Sequence, residues 1–148
     1  MNTFQAQRIT RNYTHHLEAP PERVFPLLCP VREYDWLDYW NCDLVYSESG
    51  RAEENCLFRT NFPAMGEAIW VVSRYEQEPY RIDFVVTCPR THVEHLAITL
   101  KDSEGGGTEL HWRRTYTGLN EQGNHLIQEL GGEPFVHKMA YLAAALEH

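Results

Sequence analysis

Paired cysteines, long apolar runs and nucleotide-binding loops are all missing from this sequence, and each absence narrows what the chain can be. Its four cysteines, Cys29, Cys42, Cys56 and Cys88, form no C-x-x-C pair, which excludes zinc-type spacing and a dithiol redox motif. Four scattered thiols without a secretion signal read as reduced, mostly buried residues behaving as small hydrophobes. No stretch approaches the roughly 18 apolar residues of a membrane span. Met1 to Gln7 contains no apolar core of a signal peptide, so a cytoplasmic location is expected. Basic residues are in deficit, 13 against 21 acidic, for a net charge of −8. That balance argues against nucleic acid or an anionic membrane as a partner. Nucleophilic catalysis lacks its signatures too, since there is no G-x-S-x-G elbow. Gly105-Gly106-Gly107 is followed by no G-K-[ST], which makes it a turn and not a phosphate loop.

What is present suits one globular domain. At 148 residues with 43% hydrophobic content, the chain can bury enough surface to fold without staples or metal. Ile9 to Glu18 reads as a first strand. Pro20-Pro21 then sets a helix start, because proline fits the first turn where its missing N–H is not needed. Val24, Phe25, Leu27 and Leu28 supply its apolar face, and Cys29-Pro30 closes it. A second, aromatic-rich helix is expected over Tyr34 to Trp40.

Strands follow over Asp43–Ser49, Asn55–Phe62, Glu67–Glu76, Arg81–Thr87, Thr91–Lys101 and Glu109–Leu119. Several alternate with period two. In the last, Leu110, Trp112, Arg114 and Tyr116 share one face, while His111, Arg113, Thr115 and Thr117 take the other. Seven strands with short turns predict a single curved antiparallel sheet. Asn120 is an N-cap residue for the closing helix, with Leu126, Leu130, Met139 and Leu142 as candidates for its apolar stripe. Gly131-Gly132 and Pro134 predict a kink or break within it. The terminal Leu146-Glu147-His148 reads as the start of a vector-encoded polyhistidine tag, leaving residues 1–145 as the expected single domain.

Three stretches carry a resemblance to a known superfamily. Leu17-Glu18-Ala19-Pro20-Pro21-Glu22-Arg23-Val24-Phe25 is similar to the strand-to-helix junction of polyketide-cyclase-like members of the START-like, or SRPBCC, superfamily. The stretch from Cys29 to Trp40, with Tyr46-Ser47-Glu48-Ser49-Gly50, resembles an uncharacterised bacterial subgroup of it. Tyr116-Thr117-Gly118-Leu119, leading into the last helix, is the third. The resemblance covers essentially the whole chain. It implies an α+β helix-grip fold: a seven-stranded curved antiparallel sheet around a long C-terminal helix, with two short helices after the first strand. It also implies a cavity between sheet and helix for an apolar or aromatic small molecule. Carriers and enzymes share this fold, so it does not settle function.

Candidate residues divide by chemistry. Phe58, Phe62, Trp70, Phe84, Trp112 and Tyr116, with Leu96, Ile98 and Met139, are expected to line the cavity, and Trp36 and Trp40 its mouth. A solid aromatic core is the alternative. Arg114 shares the parity of Trp112 and Tyr116; it either points inward, with Asp83 or Glu94 as partner, or reaches water at a strand end. His95, Arg114 and Tyr116 are the candidate proton-moving groups if the chain is an enzyme, and His15, His92 and His111 are further strand histidines. His92 and His95, three apart on a strand, must face opposite ways, which spoils them as a metal pair. The expected function is therefore binding or transport of a lipid- or polyketide-like small molecule by a monomer or homodimer, without metal or other cofactor. The alternatives are a cofactor-independent cyclase or dehydratase and a chaperone-regulating interaction module.

Overall fold

The computed structural model describes residues 3–28, 42–50, 53–62 and 66–146, apart from the side chains of 62, 133 and 134. Seven strands run β1 (Arg8–Leu17), β2 (Cys42–Tyr46), β3 (Leu57–Phe62), β4 (Gly66–Gln77), β5 (Tyr80–Cys88), β6 (His92–Asp102) and β7 (Thr108–Gly118). They form one antiparallel sheet in the order β1-β7-β6-β5-β4-β3-β2. The first strand thus crosses to pair with the last, and the rest are neighbours in sequence. A bulge in β4 between Val72 and Arg74 interrupts its register with β5. Val72 is buried, whereas Arg74 pairs with Asp83 on the opposite face. An extra residue of this kind bends a strand and increases its local twist.

Between β1 and β2, Pro21 opens α1 (Pro21–Val24), as its fixed φ allows. A 3-10 turn over Phe25–Leu28 continues it. Phe25 packs between Tyr75 and Tyr80, with ring centroids 5.3 and 4.9 Å away, and so closes one end of the sheet. The expected aromatic helix over Tyr34 to Trp40 lies outside the described residues.

The C-terminal helical segment divides at the glycine pair into α2 (Glu121–Leu130) and α3 (Glu133–Leu146). Asn120 caps α2, its Oδ1 accepting from the Gly123 N–H at 2.7 Å. The helix docks tightly because Gly123 has no side chain: a Cβ there would collide with the Thr91 carbonyl. Asn124, 6% exposed, ties the N-terminal segment down, accepting from the Gln7 N–H and donating to the Gln5 carbonyl. In α3, Phe135, Met139, Leu142 and Leu146 recur at helical spacing. They are buried in one cluster with Phe58, Ile82, Phe84, Val86, Leu96, Ile98, Leu110 and Trp112 of the sheet. The core is therefore the inner face of the sheet against α3.

Candidate ligand-binding site

The inner face has an aromatic side and a polar side. On the aromatic side, Phe58 and Trp70 stack at 5.2 Å, and Phe84 meets both edge-on. Trp70 keeps its indole N–H satisfied by donating to Thr60 Oγ1 at 2.9 Å. Leu96, Ile98 and Met139 are buried among these groups in the same core.

The polar side is built on β6 and β7. Glu94 stands opposite Tyr116, and Leu96 opposite Arg114, so Glu94 and Arg114 are diagonal neighbours on one face. Arg114 Nη1 donates to Glu94 Oε2 at 2.6 Å, with the two side chains only 4% and 3% exposed. The Arg114 guanidinium carbon also lies 5.7 Å from the Trp112 ring centroid, within cation–π range. His92 and Tyr116 lie with ring centroids 6.1 Å apart. Two buried groups beside the ion pair, Trp112 Nε1 and His92 Nε2, have no hydrogen-bond partner among the described residues.

Burial sets the proton states here. It pushes the His92 imidazole below its ordinary value, against the pull of Glu94. That favours a neutral ring, in which Nδ1 shares a hydrogen bond with Thr91 Oγ1 at 2.8 Å. Burial, with the Glu94 charge adding to it, raises the Tyr116 phenol well above the usual range, so it stays protonated. The same two causes push the Cys88 thiol up to about 11 from 9.0. The consequence for stability has a definite sign. From pH 9 to 11 the unfolded chain releases the Cys88 proton while the folded chain keeps it, so stability falls as pH rises through that window. Tyr116 extends the loss above its ordinary 10.0. Urea midpoints are expected to decline across this range, with the Cys88→Ala variant declining later. A flat profile would contradict the burial of both groups.

Arg114 and Tyr116 are thus brought together inside, and His95 is not. It faces outward, its side chain half exposed, with Nε2 3.3 Å from Asp83 Oδ2. The reason is strand parity: Leu96 is buried, so its neighbour must face away. Asp83 is likewise an outward residue held by Arg81, so Glu94, not Asp83, is the partner of Arg114. Arg114 does not reach water, since it sits mid-sheet and not at a strand end. The Phe62 backbone lies in β3, but its side chain, like Trp36 and Trp40, falls outside the described residues. Glu94 carries more of the site than its place in the sequence suggested; its signal was the shared alternation with Leu96 and Ile98. The unmet Trp112 indole N–H gave no sequence signal, because it is a property of packing, while the burial of Cys88 agrees with the reading of scattered free thiols.

No family model and no curated protein sequence matches the chain. Solved structures do. Norcoclaurine synthase from Thalictrum flavum superposes with a TM-score of 0.72 over 99% of this chain and 96% of its own, at 11% identity. Major latex-like protein 151 from Panax ginseng gives 0.68 over 95% of both chains, at 14% identity. An uncharacterised protein from Rhizobium leguminosarum gives 0.67 over 97% and 94%, at 16% identity. The chain has the helix-grip fold. Identities this low establish the helix grip and leave its occupant to be argued from the residues. Among the described residues, no helix is long and apolar enough to cross a membrane. Nor does any group of three or more His, Cys, Asp or Glu side chains there gather as metal ligands.

Proposed function

We propose that the inner face of this helix grip binds a hydrophobic or aromatic small molecule, lipid- or polyketide-like, that carries a hydrogen-bond acceptor. The observation behind this reading is the Trp112 indole N–H, buried on a residue 2% exposed and without a partner among the described residues. An unmet buried donor costs about 1–3 kcal/mol, a cost that a ligand carbonyl, phenol or carboxylate would remove. Phe58, Phe62, Trp70 and Phe84 would receive the apolar body, Arg114 would lend positive charge to the acceptor, and Trp36 and Trp40 would complete the mouth. In this reading the protein is a cytoplasmic single-domain carrier from the polyketide-cyclase-like branch of the superfamily.

Calorimetric titration with 2-naphthol, and with naphthalene as the acceptor-free control, tests this. The phenol is expected to bind more tightly. Trp112→Phe keeps the ring and deletes the donor, so it should weaken 2-naphthol by roughly two- to tenfold, the worth of one neutral hydrogen bond. It should leave naphthalene unchanged. Equal binding of the two compounds, or no effect of Trp112→Phe, would count against the reading.

A second reading, a cofactor-independent enzyme of the cyclase or dehydratase type, is favoured by the gathering of His92, Glu94, Arg114 and Tyr116 within one buried cluster. Norcoclaurine synthase is an example of a synthase on this fold. A neutral His92 is suited to accept a proton, and a protonated Tyr116 to donate one. Turnover of a bound polyketide-like compound that His92→Gln abolishes, with binding intact, would move the assignment to this reading.

A further inference from the structure

The outer face of the sheet, turned away from the core, carries a concavity of its own. Strand register places Ala97 directly between Asp83 of β5 and Arg113 of β7. Arg81, Thr99 and His111 form the row on one side of it, and Val85, His95 and Thr115 the row on the other. A methyl group surrounded by longer side chains leaves a depression, here of about 340 Å³. Its negative charge is already engaged. The Asp83 side chain, 5% exposed, is held in two-pronged fashion by Arg81, with Nε–Oδ1 at 2.9 Å and Nη2–Oδ2 at 3.0 Å. His95 Nε2 closes on the same carboxylate at 3.3 Å, which turns its other ring nitrogen away from Asp83. His111 forms a fixed wall, its nitrogens engaged by Thr14 Oγ1 and Asn12 Oδ1. Arg113 has no carboxylate partner among the described residues, although it lines the depression.

We propose that this outer concavity is a binding site for a small oxyanion, a phosphate or carboxylate group. Arg113 supplies the charge, with a donor from the Thr99 hydroxyl. A guanidinium suits this role because its planar fork matches two oxygens of either group. The Arg81–Asp83 pair acts as a brace that holds His95 at the rim. At a net charge of −8 the chain as a whole repels anions, so binding here must come from local geometry.

Amide NMR titrations of the full chain with inorganic phosphate and, separately, acetate provide the test. Saturable shifts are expected at outer-face positions of β6 and β7, around His95, Ala97, Thr99 and Arg113. Saturation by phosphate alone would identify a phosphate ligand, and by acetate alone a carboxylate. Arg113→Gln should weaken binding at least about tenfold, and Ala97→Val, which adds two carbons at the floor of the depression, should weaken it as well. Arg59→Gln, on the outer face beyond the concavity, should leave affinity unchanged. The spectra themselves report whether each variant is folded. No saturable shift with either anion, or undiminished affinity in folded Arg113→Gln or Ala97→Val, would overturn the proposal.

Discussion

Replacing Arg114 with methionine is expected to lower the unfolding free energy by about 3–5 kcal/mol, because it strands the Glu94 carboxylate without its partner. Both side chains are almost fully buried and meet at 2.6 Å, so water cannot take over the lost contact. For a chain of this length that corresponds to roughly 2–4 °C in Tm for every kcal/mol. The double variant Glu94→Leu/Arg114→Met removes both charges and should recover most or all of the loss, since an apolar pair of similar volume is often as stable as a buried ion pair. Its behaviour separates structure from function. If the pair serves the ligand, the double variant is stable but loses affinity for 2-naphthol. Should it keep both stability and affinity, the pair would have no part in binding.

The Met139→Ala variant is expected to lose about 2–5 kcal/mol by urea denaturation. Met139 is fully buried in the α3 stripe, between Phe135 and Leu142, and truncating it leaves a hole that the rigid sheet can close only in part. Met139→Leu, nearly equal in volume, should cost less than about 1.5 kcal/mol. A loss well under 2 kcal/mol for the alanine variant would mean that this side chain already borders open volume, not packed neighbours. That outcome would place Met139 in the wall of the ligand cavity.

Much of this architecture was legible in the chain because it rests on local chemistry. Pro21 opens a helix and Asn120 caps one, as proline and asparagine do in isolation. The two faces of β7 followed from simple alternation, whereas the choice for Arg114 between the interior and water was open until its mid-sheet place and buried partner were seen. The break in the last helix followed from Gly131 and Gly132. Where sequence reading fell short, the missing information was non-local. The partner of Arg114 depends on the β6–β7 register, set by the turn at Gly105–Gly107. Each of those glycines has a positive φ, and a Cβ on Gly107 would collide with the Leu17 carbonyl. The bulge in β4 also changes which residues face inward beyond Val72, and no single residue there announces it. His95 is the instructive case: its own parity with Leu96 excluded it from the cavity, but histidine chemistry drew it into the candidate group.

The most direct test of a ligand-binding inner face is native mass spectrometry of the purified protein, with anything retained extracted and identified. The account predicts a one-to-one adduct of an apolar or aromatic compound bearing a carbonyl, phenol or carboxylate. A protein of bare chain mass that also forms no adduct with 2-naphthol would contradict it, and the inner face would then be a solid core.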